Sequence, residues 1–186
     1  MQIDPSIKSR PTYQPPRLVE SAGLHLFVCE PEALAQFKPL LGACPPERMR
    51  LLLAGEAEAV PEDAQACTVE AMPEQLQAVL SEAPVSTRLY VGGSEMFLWD
   101  VRNQALKAGL VDEQIQLAPP TRKARRLFCT HCYTLMEGVE VSPFKCTGCG
   151  RLLLVRDHFS RLHGAYVGVQ INAEDPQEEP EQEVLQ

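Results

Sequence analysis

Four cysteines stand in two C-x2-C pairs, Cys129-Thr130-His131-Cys132 and Cys146-Thr147-Gly148-Cys149, with thirteen residues between the pairs. Each pair can close a tight turn that aims two sulfurs at one centre while nearby backbone N–H groups stabilise the thiolates. Two such turns at this separation suit a tetrahedral S4 metal site. Zinc, a d10 ion, is its commonest occupant, and iron in a rubredoxin-like site is the redox-active alternative that four soft ligands also suit. Incidental dithiols or disulfides are the bland reading, which the spacing disfavours. With Cys129, Cys132, Cys146 and Cys149 all as ligands the sphere is closed. No position is left for substrate or activated water, so the expected metal is structural rather than catalytic.

The elements that must position these sulfurs are slight. Between the knuckles runs Tyr133 to Lys145, where Gly138 and Pro143 punctuate short β-favouring pieces. These are too short to bury a core unaided, which predicts a zinc ribbon whose ion holds two hairpins together.

The remainder of the 186 residues has room for one ordinary domain, and 45% apolar content supports a real core. Met1 to Pro16 is polar and proline-rich with no apolar signal core, and no apolar run approaches the roughly 20 residues of a membrane span. Cytosol is the expected compartment. Cys29, Cys44 and Cys67 sit singly among apolar neighbours and read as buried free thiols. The net charge of −8 is unevenly spread: residues 1–120 carry 9 Lys/Arg against 16 Asp/Glu, residues 121–172 carry 8 against 3, and residues 173–186 carry 0 against 6. The ribbon is a basic island in an acidic chain, suited to an acidic protein face or to nucleic acid.

In chain order, residues 1–22 predict an irregular arm, ordered against a partner if at all. Residues 23–120 alternate strand and helix. Leu24–Val28, Met49–Leu53, Ala66–Met72, Thr87–Val91 and Glu113–Leu117 read as strands. A helix opened by Pro31 and Glu32 runs to a stop at Gly42, with an acidic loop from Glu56 to Gln65 further on. A second helix starts at Pro73, and a third, capped by Ser94, runs from Glu95 to a stop at Gly109. Such alternation implies an α/β domain with a mainly parallel sheet covered on both faces. Residues 121–172 form the ribbon with its basic flank, and residues 173–186 an acidic tail expected to be disordered.

Several tempting residues have plainer readings. Met96, Phe97 and Trp99 share a helix with Val101, Ala105 and Leu106, which marks a core-facing stripe rather than a cofactor box. His131 lies inside a sphere already complete, and His158 and His163 lack a third ligand, so surface or interface roles are expected. Thr121-Arg-Lys-Ala-Arg-Arg126 is a solvated linker that beside a ribbon could grip phosphate, with Phe128, Tyr133 and Phe144 as stacking groups. An acidic whole opposes that, and nucleic acid is the weaker partner class.

Leu89-Tyr-Val-Gly-Gly-Ser-Glu-Met96, a helix, and Ala108 to Ile115 resemble the end of the nucleotide module of ferredoxin-reductase-type flavoproteins, with Gly92-Gly-Ser in place of a Cys-Gly-Pro turn. The loop equivalent to that family's glycine-rich phosphate turn is Cys29-Glu-Pro-Glu-Ala-Leu34, which has no glycine and two carboxylates. Like charges about 4 Å apart at an effective dielectric near 20 cost about 4 kcal/mol, against about 8 kcal/mol for micromolar binding. The module is therefore expected to be degenerate and not to bind NAD(P). A reductase is also expected to carry a flavin domain ahead of it, which 22 residues do not supply.

The C-terminal third, with both knuckles, Gly150 to Val155, Arg156-Asp-His-Phe-Ser160 and Gly164-Ala-Tyr-Val-Gly168, is similar to the small subunit of bacterial dimethylamine monooxygenase complexes. The resemblance implies a haem-dependent oxidative N-demethylase that turns dimethylamine into methylamine and formaldehyde with NADPH and oxygen. It implies partner subunits carrying haem, FMN with an iron–sulfur cluster, and a folate-binding fold. For this chain the expectation is a non-catalytic accessory role, docking or positioning the reductase and haem subunits. An iron electron carrier between flavin and haem, and a nucleic-acid-binding ribbon, are the alternatives.

Overall fold

A computed structural model describes residues 9–56, 61, 64–175, 177 and 180–185. The chain divides into two compact units, one formed by Tyr13–Arg122 and one by Met1–Thr12 with Lys123–Gln186.

In the first unit, β1 (Leu24–Cys29), β2 (Met49–Ala54), β3 (Ala64–Cys67), β4 (Thr87–Gly92) and β5 (Ile115–Leu117) form one sheet in the order β3-β2-β1-β4-β5. Every adjacent pair is parallel. β1 and β4 are buried nearly end to end, as strands covered on both faces must be. The helices are α1 (Leu34–Ala43), α2 (Met72–Glu82) and α3 (Glu95–Lys107). Ser94 caps α3 as its sequence requires, its hydroxyl accepting from Phe97 N at 3.4 Å. Phe97, Leu98, Trp99, Val101 and Ala105 of α3 are buried, the core stripe expected of that helix. Buried Arg102 holds Asp112 through two nitrogens, at 2.8 and 2.7 Å, and lies over the Trp99 ring.

Two details differ from the sequence reading. α1 continues through Gly42 to Ala43, so that glycine is no stop. The third strand ends at Cys67, because Thr68 turns the chain into α2: its hydroxyl accepts Ala71 N at 3.2 Å and its carbonyl accepts Met72 N at 3.1 Å. Much of the expected acidic loop, at residues 57–60 and 62–63, lies outside the described residues.

The arm was expected to order only on a partner, yet its described residues bond within the chain. The Tyr13 hydroxyl donates to Glu95 at 2.7 Å and accepts from Trp99 Nε1 at 2.9 Å. Val19 N donates to the buried Tyr90 hydroxyl at 3.2 Å. In the second unit Ser9 N donates to the Asp157 carbonyl, and Phe159 N donates to Ser9 Oγ, both at 3.1 Å. Prolines that forbid regular structure do not forbid such single bonds.

The second unit is larger than two hairpins. β6 (Arg125–Cys129), β7 (Leu135–Val139), β8 (Val141–Ser142), β9 (Phe144–Lys145), β10 (Leu152–Ser160) and β11 (Ala165–Gln170) follow one another, and β12 (Glu183–Val184) comes last. Five of them form a sheet in the order β7-β6-β11-β10-β9, antiparallel except where β11 meets β6. Leu127, Leu153, Phe159 and Tyr166 are buried, so the ribbon has a small apolar core of its own, contrary to the expectation from its inter-knuckle pieces alone. β10 shifts register between Arg156 and Phe159, and Ser9 serves the backbone groups that this bulge frees. The acidic tail is likewise not wholly without structure, since β12 pairs with β8. Among the described residues no helix is long and apolar enough to cross a membrane.

Candidate metal centre

Cys129 closes β6 and Cys146 follows β9, and each begins a knuckle built on one plan. Tyr133 N donates to the Cys129 carbonyl and Gly150 N to the Cys146 carbonyl, both at 2.9 Å. Cys129 N donates to the Thr134 carbonyl at 3.0 Å, as Cys146 N does to that of Arg151 at 2.8 Å. Both turns then need a left-handed residue after the second cysteine. Gly150 supplies it at φ 75° and Tyr133 at φ 63°, the latter a conformation that costs a bulky side chain about 1–2 kcal/mol.

The result gathers all four sequence-predicted sulfurs. Their Sγ atoms lie within 4.8 Å of one another, Cys129 to Cys149 at 3.8 Å and Cys132 to Cys146 at 3.6 Å. A disulfide needs about 2.05 Å, whereas sulfurs about 2.3 Å from one tetrahedral ion stand about 3.8 Å apart. The donor set and its spacing fit a metal ion. The Thr134 hydroxyl, 3.2 Å from Cys132 Sγ, donates to the thiolate, and with the Thr134 N–H it pulls that thiol down to about 6. The Arg151 N–H lowers Cys149 likewise, while burial pushes Cys129 up to about 11. Gly148 admits this close packing, because a Cβ there would lie 2.1 Å from Thr134 Oγ1 and 3.2 Å from Cys132 Sγ.

The three histidines have other business. His131 accepts from Arg151 Nη1 at 2.8 Å, His158 Nδ1 lies 3.3 Å from Ser9 Oγ, and His163 stacks on Phe128. Nor is the basic linker open to phosphate along its length. Arg122 pairs with Glu30 and Glu32, Arg125 with Asp157, and Arg126 with Glu137.

In the α/β unit, the strand order reverses between β1 and β4, where such folds hold ligands beyond the carboxyl ends of the strands. Here Glu30 fills that place. Its Oε2 accepts Ser94 N at the start of α3, and its Oε1 lies 3.5 Å from the Arg122 guanidinium. Gly93 lets the carboxylate in, since a Cβ at that position would stand 2.6 Å from Oε2. The sequence marks Glu30 only as a repulsive charge; its pairing across 64 residues with Ser94 has no local signal.

A parallel α/β unit and a four-cysteine ribbon together define a two-domain protein. Two family profiles match it: the N-terminal domain of dimethylamine monooxygenase subunit DmmA-like proteins over residues 5–115, and their C-terminal domain over residues 126–169. The chain belongs to the DmmA-like family of dimethylamine monooxygenase subunits. It is 38% identical over 101 residues to the heme-dependent oxidative N-demethylase delta subunit of Ectopseudomonas mendocina (strain ymp), across 54% of this chain and 58% of that protein. The match thus spans under two thirds of that relative. Among solved structures it is similar to the ferredoxin reductase in carbazole 1,9a-dioxygenase (FAD apo form), at 15% identity and a TM-score of 0.46, over 58% of this chain and 35% of that one.

Proposed function

We propose that this chain is a non-catalytic accessory subunit of a dimethylamine monooxygenase, docking or positioning its reductase and haem subunits in the cytoplasm. Cys129, Cys132, Cys146 and Cys149 hold a structural zinc ion, and haem, FMN, the iron–sulfur cluster and folate belong to the partner subunits. The observation that carries this reading is the convergence of four sulfurs on one centre. Bound there, zinc would cross-link β6 to the loop after β9 and have no vacant position for substrate. The Glu30 carboxylate at the start of α3, held by Ser94 N and Arg122, supports the same role for the α/β unit. Family membership supports the complex, and the relative's name supports oxidative N-demethylation as its reaction.

The test is to express the monooxygenase with and without this chain. Loss of assembly or of NADPH-coupled dimethylamine turnover is expected, and normal values for both would defeat the proposal. A red preparation that bleaches on reduction would instead identify an iron electron carrier.

A further inference from the structure

The first knuckle spends a conformation on a side chain that gives the ribbon little in return. Tyr133 occupies the left-handed position that glycine fills in the second knuckle, and it is the one non-glycine residue at positive φ among the described residues. Glycine adopts this backbone freely, whereas a bulky residue is strained there. Burial does not compensate, for Tyr133 is 72% exposed. Strain kept at an exposed aromatic points to use of the ring outside the fold.

The ring is not alone. It lies 5.8 Å from the Phe128 ring, which stacks on His163 at 4.9 Å and 7°. The register sets Leu135 on one side of Phe128 and Val167 on the other. Phe128, Tyr133, Leu135 and Val167 therefore make an apolar, partly aromatic face across three strands, each of them at least partly open to solvent. Beside it Arg156 is exposed and faces Val167 in register, while the exposed Glu137 next to Leu135 is held by Arg126. Among the described residues Arg156 has no carboxylate partner, unlike Arg125 and Arg126 in the same unit.

We propose that this face docks a partner protein that offers an apolar pocket to the Tyr133 ring, bordered by an Asp or Glu carboxylate that meets Arg156. Aromatic anchors ringed by complementary charge are the usual centres of binding energy in protein interfaces. A nucleic acid would also welcome rings and a cation, but one such arginine on a chain of net charge −8 makes a poor polyanion site. The inference rests on the docking role proposed above and names the surface that performs it.

The experiment co-expresses the tagged full chain with the remaining subunits of a dimethylamine monooxygenase and measures their retention against salt, for wild type, Tyr133→Gly and Arg156→Glu. Metal content is assayed on each. Wild type should retain the partners less well as salt rises. Tyr133→Gly, which frees the strained position, should keep a full complement of metal and melt no lower than wild type, yet bind at least about tenfold more weakly. Arg156→Glu should weaken binding as well. Undiminished binding by Tyr133→Gly overturns the proposal, as does loss of its metal, which would give the ring a role within the ribbon. Retention of duplex DNA or RNA through Tyr133 also overturns it. Failure of wild type to retain any subunit would instead remove the docking role itself.

Discussion

The Glu30 carboxylate accepts the backbone N–H of Ser94 and lies beside the Arg122 guanidinium, so the crevice between β1 and β4 holds an anion that the chain itself supplies. A glycine-rich loop would leave this place to a phosphate. Here the Glu30 side chain stands at that place instead.

Removing that carboxylate should destabilise the α/β unit. Glu30→Ala strips a charge-assisted hydrogen bond and an ion pair from a mostly buried place, a loss on the order of 2 kcal/mol. Glu30→Gln keeps an acceptor for Ser94 and should lose less. Urea unfolding followed by the fluorescence of Trp99, the single tryptophan, reads both. An unmoved Ala midpoint would contradict the role given to Glu30. NADPH at about 100 times a true dissociation constant would stabilise the native state by about 2.7 kcal/mol, and no such shift is expected for the wild type.

Tyr13→Phe tests the arm. The hydroxyl serves Glu95 and Trp99 together, and its loss leaves the buried indole N–H without this acceptor. A cost of about 1–2 kcal/mol and a change in Trp99 emission should follow. Identical emission and stability would mean that the arm does not rest there in solution.

His25 predicts a pH dependence. It is buried with Nδ1 3.0 Å from the Tyr90 hydroxyl, and burial first, then the charge of Arg48, hold its pKa below 6.5. In the window between the folded pKa and 6.5 the unfolded chain binds more protons than the folded one. Its contribution is therefore whole above about pH 6.5 and declines as pH falls through that window. Urea midpoints across the window should drop for wild type and drop less for His25→Phe. Equal slopes in the two proteins would show that His25 is not the group responsible.

Gly148→Ala probes the metal centre without touching a ligand. A methyl group there collides with Thr134 Oγ1 and crowds Cys132 Sγ, displacing the hydroxyl that supports the thiolate. Metal affinity, measured by competition with a chromogenic chelator, should fall about 10–100-fold, the usual cost of disturbing a ligand's hydrogen-bond partner. Wild-type affinity would mean that Thr134 plays no part in holding the ion.

What the sequence made legible was local. The two cysteine pairs, the Ser94 cap, the Gly109 stop and the strand–helix alternation all follow from neighbours a few residues apart, and the sheet has the parallel pairing they imply. Long-range relations were not legible. Nothing near Ala66 marks it as lying inside a strand that starts at Ala64 and ends where Thr68 bends the backbone. The β10–β11 hairpin is not legible locally, because the alternation of buried Leu153 and Val155 with exposed Leu154 and Arg156 breaks at the bulge after Arg156. The run Asp157-His-Phe-Ser160, which carries the family likeness, is where Ser9 and Arg125 meet that bulge, a contact that spans most of the chain.

X-ray absorption at the zinc edge on the purified full chain is the measurement closest to the central claim. One zinc per chain with four sulfur neighbours at about 2.3 Å, unchanged when partner subunits are added, is the predicted result. A nitrogen or oxygen neighbour, a vacant position, or iron in place of zinc would contradict a closed structural centre, and with it the reading of this chain as an accessory subunit.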